Sequence, residues 1–170
     1  MKQFKMLCVV FFLVWAVGAA NVYALQIDIN AKTATTTDPL TYFFEAGTYE
    51  VTVIGVEDGG VYNAWNAWGN IGGNHGWLNS YRISSDEFDI SMGDGIRYKD
   101  PLDALGNAVG VTFSLLTDGD VNFFIADWPY TDNIGGISLD VAPVPEPATI
   151  ILLGSGLLGL GVRARKKFKK

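Results

Sequence analysis

Hydrophobic and polar residues alternate in several short stretches of the chain, a pattern typical of strands that bury one face. The clearest case is the stretch 48–56, in which Tyr49, Val51 and Val53 would share one face. We interpret five further stretches as strands: 26–30, 40–45, 109–116, 121–127 and 136–141. Two of these, 109–116 and 121–127, are apolar on both faces, so we expect them to be central strands.

The connections between these strands are rich in glycine, aspartate and asparagine, as in the turn Thr117-Asp118-Gly119-Asp120. Such residues favour tight turns, and helical periodicity is almost absent from the same region. We therefore predict an all-β domain, an antiparallel β-sandwich.

The first 24 residues depart from this pattern, because they contain a continuous apolar run, 6–20, after Lys2 and Lys5. The run is followed by Val22-Tyr23-Ala24, so the segment is typical of a secretory signal peptide that is cut after Ala24. An uncleaved anchor helix is the alternative. Cleavage would remove Cys8, the single cysteine, and would leave no thiol for a disulfide or a metal site.

The last 27 residues, 144–170, form a second apolar end with three parts. The motif Val144-Pro145-Glu146-Pro147 comes first and the apolar run 148–162 follows it. A basic tail comes last, and it includes Arg163, Arg165, Lys166 and Lys167. We predict a single transmembrane helix for the apolar run, with the tail in the cytoplasm and the β-domain outside it.

This three-part end resembles the PEP-CTERM sorting signal of Gram-negative bacteria. The resemblance rests on Pro145, Glu146 and Pro147 directly before a glycine-rich apolar run and an arginine-containing tail. It implies exosortase, a membrane transpeptidase, as a partner, and a host that makes exopolysaccharide and biofilm matrix. We therefore expect an exported protein that lies in the inner membrane before processing and then reaches the cell surface or extracellular matrix. A permanent single-span anchor is the alternative.

The chain thus divides into a signal peptide (1–24), an extracytoplasmic β-sandwich domain (25–143) and a sorting signal (144–170). The middle domain carries four basic and seventeen acidic residues, a net charge of −13, although the whole chain carries only −6. A surface of this charge repels phosphate backbones, so we expect no nucleic-acid partner.

The segment 57–81 combines many glycines and asparagines with aromatic side chains, namely Tyr62, Trp65, Trp68 and Trp77. Long loops of this kind either cap an open end of the sandwich or contact a ligand. Aromatic faces stack on the apolar face of a sugar, and asparagine binds its hydroxyl groups. We therefore predict Trp65 and Asn63 as carbohydrate-binding residues, with Trp65 as an exposed platform and Trp68 as a buried anchor.

A second polar cluster lies at 126–136, between two predicted strands. Asp127, Asp132 and Asn133 supply oxygen donors within seven residues, which is the kind of ligand that Ca²⁺ prefers. The alternative is a turn in which Asp132 and Asn133 bind their own backbone.

The arrangement of both loops resembles that of the bacterial galactophilic lectins, which are small calcium-dependent β-sandwiches. The resemblance rests on Tyr62 followed six residues later by Trp68-Gly69, and on Asp127 followed by Asp132-Asn133-Ile134-Gly135. It implies a sandwich of the jelly-roll or galactose-binding-like type, and a Ca²⁺ ion bound by the carbonyl of Tyr62 and the side chains of Asp127, Asp132 and Asn133. The central His-Pro-Asp-Gln run of that family, which contacts the sugar, is absent from this sequence.

No set of residues indicates an enzyme. Neighbouring acids such as Asp86 and Glu87 are expected in so acidic a domain, and His75, the single histidine, is the one candidate base for Ser138. We expect a non-enzymatic, exported protein of the cell surface or exopolysaccharide matrix. A calcium-dependent, lectin-like carbohydrate-binding module and a purely structural matrix component are the alternatives, and polysaccharide is the expected partner of the former.

Overall fold

The computed structural model describes residues 24–69 and 75–145. The predicted signal peptide up to residue 23, the apolar run 148–162 and the basic tail lie outside the described residues, as do Glu146 and Pro147. Within the described ranges, no helix has the length and the hydropathy needed to cross a membrane.

The described residues form mainly β-structure. The strands are β1 (Leu25–Asn30), β2 (Leu40–Phe44), β3 (Gly47–Ile54), β4 (Trp65–Asn66), β5 (Tyr81–Ser84), β6 (Asp89–Met92), β7 (Val111–Leu115), β8 (Gly119–Phe124) and β9 (Ile134–Pro143). A short helix, α1 (Pro101–Gly106), lies between β6 and β7. Asp100 caps this helix, because its carboxylate accepts the backbone N–H groups of Leu102 and Asp103.

The strands make two antiparallel sheets. The first sheet has the order β1-β9-β3-β7, with the short β4 paired to the beginning of β9, and the second has the order β2-β8-β5-β6. Most consecutive strands, such as β1 and β2, therefore lie in different sheets, whereas β5 and β6 pair with each other in the second sheet. The prediction of an all-β fold with antiparallel sheets is confirmed.

The predicted position of one strand is wrong. The stretch 109–116 contains β7, which is an edge strand of the first sheet and not a central one. Only one face of the strand, with Phe113 and Leu115, is buried, and the other face carries the exposed Thr112 and Ser114. The stretch 121–127 does contribute a central strand, since β8 lies between β2 and β5.

A hydrophobic core lies between the two sheets. The first sheet contributes Ile27, Ile29, Val51, Ile137 and Leu139, and the second contributes Ile83, Val121 and Phe123. Burial of one such side chain stabilises the fold by about 1.5–3 kcal/mol. The alternation of β3 and β9 follows directly from this core, because every second residue of both strands faces it.

The beginning of β1 and the end of β9 lie at the same end of the two sheets. Leu25 pairs with Val141, and Tyr49 pairs with Pro143, so β1 begins where β9 ends. We call this the terminal end of the sandwich. The long connections leave the strands at the opposite end, which we call the loop end, and they comprise 31–39, 55–69, 75–80, 93–110 and 125–133.

Candidate functional site at the loop end

The aromatic segment, of which the structure describes residues 57–69 and 75–81, is joined to the first sheet by backbone pairing. Trp65 pairs with Gly135, and Asn66 pairs with Ile134, which makes β4 an extra strand beside β9. Trp65 also exchanges two backbone hydrogen bonds with Leu78, at 3.1 and 2.7 Å. The two halves of the segment are therefore held to each other and to the sheet.

Trp65 belongs to the core. Its side chain is only 3% exposed, and its indole Nε1 donates a hydrogen bond to the carbonyl of Ser80 at 2.8 Å. The prediction that Trp65 is an exposed platform is therefore wrong. The reason is its pairing with Gly135, which turns the indole inward.

Trp68 has the surface position that was expected for Trp65. Its side chain is 50% exposed, and its ring stacks on His75 with a centroid distance of 4.3 Å and an angle of 11°. The carbonyl oxygen of the Asn66 side chain accepts the backbone N–H of Trp68 at 3.0 Å, which fixes the turn after β4. Trp68 is thus a surface aromatic residue and not the buried anchor.

Asn63 is half-buried and closes the beginning of the same segment. Its Oδ1 atom accepts the backbone N–H of Val56 at 2.8 Å, so this oxygen is engaged within the protein. A role of Asn63 in carbohydrate binding stays a prediction.

Ser138 and Asp28 hold the segment against the outer face of the first sheet. Ser138 is fully buried, and its hydroxyl accepts the backbone N–H groups of Val61 and Tyr62, each at 2.9 Å. The same hydroxyl donates to Asp28, which lies opposite it in the pairing of β1 with β9. This contact is not visible in the sequence, because the two residues are far apart in the chain. The signal available in the sequence was that Asp28 and Ser138 are polar residues within two strands of alternating pattern.

The four predicted calcium ligands have different environments. The hydroxyl of Tyr62 accepts a hydrogen bond from the Asn30 side chain at 2.8 Å. Asp127 is half-buried and Asp132 is exposed. Asn133 is only 1% exposed, and its Nδ2 donates to the carbonyl of Ala31 at 2.9 Å.

Of the four predicted calcium ligands, Asn133 is the one with an unsatisfied buried side-chain oxygen. This buried Oδ1 atom has no hydrogen-bond partner, and buried oxygens normally have one. Within residues 24–69 and 75–145, however, no three acidic, histidine or cysteine side chains gather into a group that could hold a metal. A Ca²⁺ ion here would therefore depend on amide and carbonyl oxygens, which it accepts readily.

The connection 125–133 also carries an aromatic side chain that was not predicted as a site residue. Trp128 is 84% exposed, although tryptophan is usually well buried. This connection touches the aromatic segment, since a Cβ atom added to Gly69 would lie 3.0 Å from the carbonyl oxygen of Asp132. Gly69 has a φ of +59°. Glycine therefore suits this position for two reasons, the close approach of the carbonyl and the left-handed backbone.

A third connection, 93–110, adds to the loop end. Trp77 and Tyr98 exchange two backbone hydrogen bonds of 2.8 Å, and the Arg97 guanidinium donates to the carbonyl of His75 at 2.8 Å. The hydroxyl of Tyr98 donates to Asp94, and this bond lowers the pKa of Asp94 and raises the pKa of Tyr98 to about 12. The backbone of His75, whose ring stacks on Trp68, is therefore held by the Arg97 side chain, next to the backbone pairing of Trp77 with Tyr98.

A carboxylate organises the opposite, terminal end. Glu87 accepts the backbone N–H groups of Leu116 and Thr117 and the hydroxyl of Thr117. The bond from Leu116 has the largest effect, and together these bonds lower the pKa of Glu87. Glu87 therefore shapes the turn between β7 and β8.

Comparison with known proteins gives one positive result. Residues 143–166 match the family model described as the PEP-CTERM protein-sorting motif. No curated protein and no solved structure matches the chain. The match includes Pro145, Glu146 and Pro147 and extends into the basic tail. The chain therefore carries a PEP-CTERM sorting signal, the mark of an exported protein that exosortase processes.

Proposed function

We propose that the chain is a non-enzymatic protein of the cell surface or exopolysaccharide matrix, held in the inner membrane by its C-terminal signal until exosortase acts on it. The observation that carries this proposal is the position of the sorting motif, which begins at Pro143, the last residue of β9, at the terminal end. The loop end therefore lies on the far side of the domain from the residue where the motif begins.

The end of β9 is well anchored in the sheet. Tyr49 of β3 pairs with Pro143, and the backbone N–H of Val144 donates to the carbonyl of Thr48 at 2.8 Å. A processing enzyme needs an extended, accessible peptide, and these hydrogen bonds keep residues up to 144 in the sheet. We therefore expect exosortase to cut on the C-terminal side of Val144, which leaves the β-sandwich intact.

The side-chain chemistry of the described residues supports a non-catalytic role. The carboxylates with a shifted pKa, Glu87 and Asp94, are held in their charged form by hydrogen bonds that shape loops. Ser138 is fully buried, and its hydroxyl already has three partners. A nucleophile needs an accessible oxygen and a base, and Ser138 serves the packing of a loop instead.

A pair of isogenic strains with and without exosortase tests the proposal. The full chain and a variant in which Pro145, Glu146 and Pro147 are changed to alanine are followed by cell fractionation and by mass spectrometry. We expect the unchanged chain to reach the surface or medium with Leu25 as its first residue and without its basic tail, but only when exosortase is present. A Lys169→Ala variant should behave like the unchanged chain.

Two outcomes would contradict the proposal. An intact Lys170 on most molecules in the exosortase strain would favour the permanent anchor. Equal processing of the alanine variant would show that the motif does not direct sorting.

A calcium-dependent carbohydrate-binding module is the second candidate. The strand order of the two sheets, with β4 set aside, is that of a jelly roll, an architecture used by lectin domains. The unpartnered Oδ1 atom of Asn133 supports a cation beside the aromatic segment. When bound, Ca²⁺ would hold the oxygens of the two loops together. A calcium titration followed by thermal unfolding tests this candidate.

A further inference from the structure

Two tryptophan side chains are open to solvent at the loop end. Trp128 is 84% exposed and Trp68 is 50% exposed, and the segments that carry them meet where Gly69 approaches the carbonyl of Asp132. Exposed tryptophan side chains on two connections that touch each other mark a candidate binding surface. Trp65, from the same segment, is buried in the core, so the exposure of Trp68 is specific to its position in the segment.

The Trp68 ring is fixed in place before any ligand arrives. One of its faces lies on His75, and the backbone of His75 is held by the guanidinium of Arg97. Its own backbone is held by the Asn66 side chain. A fixed aromatic side chain loses little conformational entropy when it binds a ligand, which favours affinity.

The charge around these rings selects the class of ligand. The described connections at the loop end contain eight carboxylates and three basic side chains. Asp127 and Asp132 lie in the same connection as Trp128. An anionic polymer or an anionic lipid surface would be repelled, whereas carboxylates accept hydrogen bonds from the hydroxyl groups of an uncharged sugar.

We propose that Trp68 and Trp128 form a stacking surface for an uncharged polysaccharide. The indole faces contact the apolar C–H faces of the sugar rings, and Asp127 and Asp132 accept hydrogen bonds from their hydroxyl groups. This inference rests on the proposed role at the surface or in the matrix, because that role places the loop end beside polysaccharide. The stacking surface needs no metal, which separates it from the calcium-dependent candidate.

Affinity electrophoresis of the full chain tests the inference. The chain is kept in a polyoxyethylene-ether detergent, since detergents with sugar head groups would compete. Native gels contain hydroxyethylcellulose, galactomannan or dextran as uncharged polymers and alginate as an anionic one, each with calcium or with chelator. The variants are Trp68→Ala and Trp128→Ala, with Phe43→Ala as the control, because Phe43 is an exposed aromatic residue on β2, away from the loop end.

We expect at least one uncharged polymer to retard the unchanged chain in chelator, and each tryptophan variant to bind about three- to tenfold more weakly. Phe43→Ala should bind like the unchanged chain. Trp128→Ala removes an almost fully exposed side chain, so its result does not depend on a change in folding.

Four outcomes would overturn the inference. They are no retardation by any polymer in chelator, retardation by alginate alone, retardation that neither tryptophan variant weakens, and an equal loss in Phe43→Ala. The third outcome would leave carbohydrate binding in place at another site. None of the four affects the fractionation result, so the surface role is judged separately.

Discussion

The buried hydroxyl of Ser138 donates to the carboxylate of Asp28 across the β1–β9 pair, with an Oγ–Oδ1 distance of 2.5 Å. The same hydroxyl accepts two backbone N–H groups from the aromatic segment. One serine therefore joins the first sheet to the segment that carries the exposed Trp68.

Ser138→Ala should lower the free energy of unfolding by about 1–3 kcal/mol, because it leaves the backbone N–H of Tyr62 without its partner and removes the bond to Asp28, whereas the N–H of Val61 keeps its second bond to Asp28. Urea denaturation monitored by tryptophan fluorescence measures the change. Ser114→Ala is a suitable control, since Ser114 lies exposed on β7 and its hydroxyl shares one hydrogen bond, with the hydroxyl of Thr48. Equal destabilisation by both variants would contradict the role of Ser138.

Trp65→Ala should lower the free energy of unfolding by about 3–5 kcal/mol, since it empties a core position and removes a hydrogen bond. Trp68→Ala should cost about 1 kcal/mol or less, because half of its side chain is already exposed. Guanidinium denaturation of both variants at the same pH compares them. A larger loss for Trp68→Ala would restore the roles predicted from the sequence.

Calcium should raise the melting temperature of the protein if it binds at Asn133. At a concentration one hundred times the Kd, the gain in stability would be about 2.7 kcal/mol. Asn133→Ala should remove this gain, as should Asp127→Ala and Asp132→Ala if they are ligands. Calorimetry with calcium and with chelator measures the effect.

Asn122→Ala is the matched control for the calcium experiment, since Asn122 lies on β8 and its side chain accepts a hydrogen bond from Thr41. This variant should keep the calcium-dependent gain. Identical melting curves of the unchanged protein in calcium and in chelator would show that Asn133 belongs to an ordinary turn.

Acid should weaken the turn that Glu87 holds. Its hydrogen bonds lower the pKa of Glu87 below the ordinary value of 4.5 in the folded state. The contribution of Glu87 to stability is therefore present above that ordinary value, and it is lost as the pH falls through the lower pKa of the folded state. Urea midpoints measured between pH 7 and pH 2.5 follow this loss.

Glu87→Gln should reduce the acid dependence of these midpoints, because its side chain has no proton to gain in this range. Glu50→Gln removes the same charge from an exposed position of β3 and serves as the control. An unchanged pH profile in Glu87→Gln would show that other carboxylates account for acid sensitivity.

The sequence was sufficient for the strands with clear alternation. β3 and β9 were predicted because one side of each faces the core over most of its length. β5 and β6 were missed, since each has only four residues. A segment of four residues gives too few alternations to be separated from a loop.

The candidate site was predicted only in part, for a different reason. The sorting motif is a continuous segment, and its residues can be read without knowledge of the fold. The orientation of Trp65 and Trp68 depends instead on the pairing of β4 with Gly135, about seventy residues away. Composition identified an aromatic segment, but only tertiary structure decides which indole faces solvent.

The central position of β9 has a mechanical consequence. The strand leads directly into the sorted segment, and it pairs over six residues with β1 and over six with β3. A force between the cell envelope and a polymer bound at the loop end would act along β9. It would then stretch the hydrogen bonds on both sides of the strand at the same time, and not one after another. We expect the sandwich to resist such shear better than a domain attached through an edge strand, as the proposed role at the cell surface or in the matrix would require.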